Sequence, residues 1–201
     1  MEKKEEIKEK LSVRRIREDD RADYLALARD FYHTDAVMAP ILLKAARPAD
    51  FDRILSYVRR QRESERLTES RQIDVKALCR EWLGAYRGEA VFAELAGQPA
   101  GFAICLPGAV LPDFPDALYF AGVFVEPGFR SRGVGRAFVP WLCERARAQG
   151  RSRIVWCTLT DNAAALAYSA RLGAVERGER VVQPAPGETY RVRFFDLPVT
   201  P

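Results

Sequence analysis

The stretch Val123-Phe124-Val125-Glu126-Pro127-Gly128-Phe129-Arg130-Ser131-Arg132-Gly133-Val134-Gly135-Arg136 decides the fold. An apolar, strand-like run over residues 118–125 ends at Glu126-Pro127-Gly128. Residues 132–149 then carry helical periodicity through Val134, Ala137, Phe138, Trp141, Leu142 and Arg145. Strand, glycine loop and helix thus follow one another. Glycines at such a junction let backbone N–H groups approach an anion, and the helix dipole favours its negative charge. The pattern points to a phosphate site, with a ligand-free tight connection as the bland alternative. A Walker loop is excluded because no Lys-Ser/Thr pair follows the glycines. The dinucleotide fingerprint fails because Phe138 stands at its third glycine, and no acid stands about twenty residues on.

Local charge favours the ligand. Residues 130–153 hold seven arginines against one acid, Glu144, a local charge of +6, so the rest of the chain sums to −2. Arg130, Arg132 and Arg136 crowd the turn, while the others fit a solvated helix face. The whole-chain charge of +4 from 32 basic and 28 acidic side chains conceals this asymmetry.

Outward from the motif, residues 90–95 and 100–106 flank Ala96-Gly97-Gln98-Pro99 as a hairpin. Residues 154–159 form a buried-looking strand, residues 162–172 a short Ala-rich helix ended by Gly173, and residues 175–182 and 190–197 two terminal strands. Towards the N-terminus, Val13 and Ile16 fit a first strand, and Tyr24, Leu25, Leu27, Ala28 and Phe31 form a helical stripe behind Asp19-Asp20. Residues 31–40 read as a loop and residues 49–62 as a helix. The polar residues 63–71 read as a solvated connector or helix extension, and the segment through Val75, Leu78, Cys79, Trp82 and Leu83 as another helix. Residues 1–11 are a charged extension, and residues 12–201 form a single mixed α/β domain with an extra helical region at about 51–86.

The 201 residues carry 48% hydrophobic side chains, enough for a core and unlike a disordered chain. No apolar run approaches the roughly 20 residues of a membrane span, and MEKKEEIKEK has no signal-peptide core, so cytoplasmic residence is expected. Cys79, Cys105, Cys143 and Cys157 form no C-x-x-C pair, and His33 is the only histidine, so no metal site is encoded.

These motifs resemble the GNAT superfamily of acetyl-CoA-dependent N-acetyltransferases, whose signature R/Q-x-x-G-x-G/A follows a strand ending V-x-V. The similarity continues through Asn162-Ala-Ala-Ala-Leu and Arg171-Leu172-Gly173-Ala174 and covers roughly residues 12–197. It implies a twisted, mostly antiparallel sheet of six to seven strands, splayed at the fourth and fifth and flanked by helices, with helices added before the second strand. The pantetheine arm of acetyl-CoA would lie in that cleft. Backbone groups of Val123, Phe124 and Val125 would meet the pantetheine amides, and a strand N–H near Val125 would serve the oxyanion. Ser131, Arg132, Gly133, Val134, Gly135 and Arg136 would hold the pyrophosphate beside Arg130, and Asn162 would contact the pantetheine or neighbouring backbone. Residues 31–37, with Tyr32, His33 and Asp35, look like a loop that borders the acceptor pocket in some members.

The proton-handling pattern departs from the family. The tyrosine that many members use as an acid falls, by the count from Asn162 and Gly173, at Ser169, with Tyr168 one residue out of register. Helical phase puts Ser169 on the face of Asn162 and assigns Tyr168 to the core. A glutamate that some members use as base is replaced by Ala121, and Tyr119 shares its strand face. Ser169, Tyr168 and Tyr119 are therefore the catalytic candidates, with His33 and Asp35 able to reach the pocket. The leading expectation is acetyl transfer to a primary amine of a small molecule or peptide, with no nucleic-acid or membrane partner. The alternative is a degenerate acyl-CoA-binding module. Residues 51–86 would cover the acceptor side or, through Trp82, supply a homodimer contact.

Overall fold

A computed structural model describes residues 40–65, 74–107, 113–183 and 189–199. The chain forms β1 (Ile41–Ala45), a 3-10 turn (Pro48–Asp50), α1 (Phe51–Ser64), α2 (Val75–Leu83), β2 (Glu89–Leu95), β3 (Gln98–Pro107) and β4 (Ala117–Val125). A second 3-10 turn (Pro127–Phe129), α3 (Val134–Ala148), β5 (Arg153–Leu159), α4 (Ala163–Arg171), β6 (Val175–Val182) and β7 (Tyr190–Pro198) complete it. The extension at 1–11, the strand and helix expected at 13–16 and 20–31, and Tyr32, His33 and Asp35 lie outside the described residues.

Among the described residues, seven strands make one sheet in the order β1-β2-β3-β4-β5-β7-β6. Every neighbouring pair is antiparallel except β4 and β5, which run parallel. The hairpin between β2 and β3 is tighter than the four-residue turn expected. Ala96 and Gly97 alone close it, with φ of 53° and 74°, the paired positive values whose twist matches the flanking strands. Strand β1 is an addition to the sequence reading. Its five residues pair with β2 from Ile41↔Leu95 to Ala45↔Val91 at the sheet edge, where Leu42 is 48% exposed. Such a short, half-exposed run has no clean alternation to announce it.

On one face, α1 lays Ile54, Leu55, Tyr57 and Val58 over Phe92, Phe102, Ile104, Leu106 and Phe124. Tyr57 stacks on Phe102 with ring centroids 5.6 Å apart. On the other, α3 buries Val134, Phe138, Leu142 and Ala146. Each fully buried large side chain contributes about 1.5–3 kcal/mol, which fixes β3 and β4 between two helical layers. The Asp74 carboxylate accepts from the N–H groups of Lys76 and Ala77 and starts α2. Asn162 does the same for α4 through Ala165, and Gly173, with φ 71°, ends that helix.

Two departures from regular pairing shape the centre of the sheet. In the β3–β4 ladder, Ile104 pairs with Gly122 and Cys105 with Phe120, so Ala121 is an extra residue in β4. Ala121 packs in the α1-side core, and the open position at Gly122 points at Gln61 of α1 and at Ile104. The bulge thus turns two successive residues to one face. The β4–β5 ladder holds only three pairs and stops at Tyr119↔Val155. Beyond it each strand continues with its outer neighbour, β4 with β3 to Val125 and β5 with β7 to Leu159. The sheet is therefore split along this line.

Candidate active site

The split opens a cleft of about 50 Å³ between Phe120–Val123 of β4 and Trp156–Thr158 of β5, with Gln61 and Glu65 of α1 on one side and Ala165 and Tyr168 of α4 on the other. Tyr119 stands at its closed end, its hydroxyl 3.6 Å from Cys157 Sγ. Burial pushes both groups up, Tyr119 well above the usual phenol range, so both hold their protons at neutral pH. Glu65 adds its negative charge to both effects, and burial raises its own carboxyl above the ordinary 4.5 against the pull of Gln61 and Arg62.

At the far end of β4 the chain turns through Pro127–Phe129 into α3. Ser131 and Gly133 hold φ of 60° and 81°, so the backbone curls before the helix begins. The first-turn N–H groups of α3 have no intrahelical acceptors, its N-cap Gly133 has no side chain to cap them, and the first turn carries no acid. Arg130 donates from Nε to the Val125 carbonyl at 3.2 Å, and the Arg132 guanidinium lies over the Phe129 ring. Glu126 is held by both guanidinium nitrogens of Arg60. Arg145, Arg151 and Arg153 are spent elsewhere, on Glu89 and Glu144, on the Pro115 carbonyl, and on Asp116 and Asp196. Of the seven arginines in the +6 segment, these three serve the fold and three, Arg130, Arg132 and Arg136, stand at the turn.

Helix α4 reverses the facing inferred from helical phase. Ser169, fully buried, accepts from Trp156 Nε1 at 2.9 Å and donates to the Ala165 carbonyl at 3.0 Å. It does not line the cleft, and Tyr168 does. The Tyr168 hydroxyl donates to the Gly135 carbonyl at 2.9 Å, and burial pushes it up to about 12. A Cβ on Gly135 would stand 3.0 Å from the Tyr168 ring, so glycine there is what admits the ring to the start of α3. Asn162 spends Oδ1 on its own helix.

A larger groove, about 680 Å³, lies against β1, α1 and α2 and includes Ala45, Phe51, Trp141 and Arg145. It touches neither the glycine turn nor the split, and its Arg145 is already paired with Glu89. The smaller cleft is the one that adjoins both the split and α4.

Residues 51–174 match the acetyltransferase (GNAT) family. The chain belongs to that family. Among GNAT relatives, L-2,4-diaminobutyric acid acetyltransferase of Nocardia farcinica (strain IFM 10152) is 29% identical over 122 residues, covering 55% of this chain. The chain spans 62% of the length of that curated relative. Two solved structures share the fold. One is yncA of Salmonella typhimurium, solved with its cofactor acetyl-CoA, at 19% identity, TM-score 0.58, and coverage of 80% of this chain and 94% of that one. The other is ribosomal-protein-alanine N-acetyltransferase of Brucella melitensis, at 22% identity, TM-score 0.58, and coverage of 78% and 99%. The mixed sheet split at its fourth and fifth strands is thus the GNAT fold the motifs implied.

Of the residues picked out in the sequence, the structure gathers Val123 and Tyr168 in the cleft, with Tyr119 behind Cys157, and Arg130 to Arg136 at the turn. Sequence reasoning missed Gln61, Glu65, Trp156, Cys157 and Thr158 as cleft residues. For the first two a signal existed. Gln61 and Glu65 lie four and eight residues after Tyr57 and continue the buried stripe of α1 with polar side chains.

Proposed function

We propose that the protein transfers the acetyl group of acetyl-CoA to a primary amine of a small molecule or peptide, by direct attack of the amine in a ternary complex. The observation that carries this reading is the continuity along β4 and α3. An unpaired strand edge beyond Tyr119 borders a cleft with groups that handle protons, and it leads to a helix N-terminus flanked by arginines and free of acid. Membership in the GNAT family supports it.

The residues present fit acetyl-CoA, which when bound supplies a thioester whose carbonyl carbon accepts the amine. Along the edge released by β5, the stretch Val123, Phe124 and Val125 would offer the pantetheine amides the backbone groups that β3 does not pair, the Val125 carbonyl being held by Arg130, and one N–H there would serve the oxyanion, a contact worth about 10²–10³ in rate. The N–H groups of Ser131 to Arg136 face the pyrophosphate, with the side chains of Arg130, Arg132 and Arg136 adding charge. Asn162 keeps its amide nitrogen for the pantetheine, since Oδ1 caps α4. Among the described residues no three of His, Cys, Asp or Glu are grouped to hold a metal ion.

The three proton-handling candidates take different roles. The Tyr168 hydroxyl hydrogen is engaged by the Gly135 carbonyl, and at about 12 the phenol stands well above an ordinary thiol at about 8.5, so transfer to the leaving sulfur is uphill. It is a positioning residue for the start of α3. Ser169 positions Trp156 in the cleft wall, and Tyr119 holds Cys157 at the closed end. Positioning, rather than an acid of matched pKa, is the main device.

The test is release of free CoA thiol from acetyl-CoA by the purified protein, with a panel of primary amines that includes L-2,4-diaminobutyrate, the compound in the relative's name. Amine-dependent release, matched one for one by acetylated product, is expected. The second reading, a binding module without transfer, draws on Ala121 at the position where some members carry a glutamate. Tight acetyl-CoA binding with no transfer to any amine would favour it. The protein is expected to act in the cytoplasm; among the described residues no helix is long and apolar enough to cross a membrane.

A further inference from the structure

Beside the cleft, the end of α1 presents two hydrogen-bond acceptors that are poorly matched by donors among the described residues. Gln61 Oε1 is buried with no hydrogen-bond partner, a costly state for a polar atom. It points at Gly122, where a Cβ would stand 2.8 Å from it, and the Gln61 side chain lines the cleft at this point. One turn later the Glu65 carboxylate lines the same cleft and, among the described residues, receives a long bond, 3.4 Å, from Gln61 Nε2. Two acceptors converge here, one carrying charge, at the side of the cleft opposite α4.

An ammonium group is the donor that suits such a pair. It has three N–H groups, no acceptor, and a positive charge that offsets the half-buried carboxylate. The missing strand glutamate sharpens the case. Ala121 leaves β4 without a carboxylate, and Glu65 brings one to the same cleft from the helix packed over that strand.

We propose that Gln61 and Glu65 form the seat for the acceptor's ammonium group, and that Glu65 is the base that takes its proton. The inference rests on the amine-acetylation reading above. The amine enters as R–NH3+ and gives one proton to the Glu65 carboxylate. The freed nitrogen lone pair forms the bond to the acetyl carbon, and collapse breaks the carbon–sulfur bond. The second nitrogen proton leaves with the sulfur as free thiol, and Glu65 returns its proton to solvent. Glu65 faces Tyr119 of β4 and Cys157 of β5, with Tyr168 of α4 also lining the cleft and Arg62 on its own helix. The first two keep their protons at neutral pH, so Glu65 is the group free to cycle.

The test uses whichever amine of the panel the full-length protein acetylates. Glu65→Gln is expected to bind acetyl-CoA as the parent does while kcat/KM for the amine falls about a hundredfold or more, the range of a lost general base. Its rate should climb about tenfold per pH unit above neutrality, as the fraction of free amine rises, where the parent's rate levels off. Gln61→Met removes the second acceptor at similar size and should raise KM for the amine while kcat holds. Glu65→Asp serves as the check on folding and should retain partial activity. A Glu65→Gln protein with the parent's kcat/KM and pH profile overturns this inference alone. A parent protein that binds acetyl-CoA and acetylates no amine overturns the functional reading and this inference with it.

Discussion

Replacing Ser169 by alanine separates a positioning role from a catalytic one. The Ser169 hydroxyl is the acceptor for Trp156 Nε1 at 2.9 Å, and the indole is 6% exposed between Phe120 and Phe195. Alanine removes the acceptor and strands a buried N–H, at a cost of about 1–3 kcal/mol. The Ala165 carbonyl loses a donor too, but it sits in a helix and keeps its ladder partner, which adds little. For a chain of this size about 2 kcal/mol corresponds to a fall of about 4–8 °C in Tm. Thermal unfolding of Ser169→Ala, Trp156→Phe and the double variant forms the appropriate cycle. The double variant should fall short of the sum of the singles by about 1 kcal/mol, because with the indole gone no donor is stranded. Turnover should drop because Trp156 lines the cleft, with acetyl-CoA affinity close to the parent's. A Ser169→Ala protein that keeps the parent's Tm and yet loses turnover would refute the positioning argument and return Ser169 to the role of acid.

Other consequences follow from the same geometry. Changing Arg130, Arg132 or Arg136 to glutamine should weaken acetyl-CoA binding about fivefold each, from about 1 kcal/mol per exposed charge, and flatten its salt dependence in a calorimetric titration. Tyr168→Phe removes the hydroxyl that braces the Gly135 carbonyl, so the dissociation constant for acetyl-CoA should rise about fivefold while kcat changes less; a kcat loss without a binding loss would contradict this. Because burial holds the Glu65 carboxyl above its ordinary 4.5, the protonated form suits the fold. The stability it gives is complete below 4.5 and is lost as pH rises through the raised value. Glu65→Gln, which mimics the protonated form, should match the parent's Tm in acid and exceed it at pH 8; a lower Tm at pH 8 would assign Glu65 a structural role.

The β4–turn–α3 unit was legible because three local signals agree there: the apolar run through Val125, the glycines at 133 and 135, and the arginines around them. The hairpin and β5 followed from apolar runs bounded by glycine and turn residues. Strand β1 was not legible, since Ile41–Ala45 is short and half exposed and owes its conformation to pairing with β2. The bulge at Ala121 is equally silent in sequence, because it expresses a register with β3 that no local pattern records. Glu65 sits in the polar run ESERLTESR, which reads as solvated; only the packing of α1 across β4 turns it inward. Helical phase grouped Tyr168 with Ala165 correctly but named that side the core. Its neighbour Ser169 takes the core because Trp156 offers a donor there.

The central claim is that the cleft between β4 and β5 is where the thioester reacts. A crystal structure of the protein with CoA tests it directly. The account predicts the pyrophosphate on the N–H groups at the start of α3, and the sulfur between Phe120–Val123 and Trp156–Thr158, with Gln61 and Glu65 opening onto it from α1. CoA bound instead in the larger groove beside Phe51 and Trp141, with the split between the strands unfilled, would contradict it.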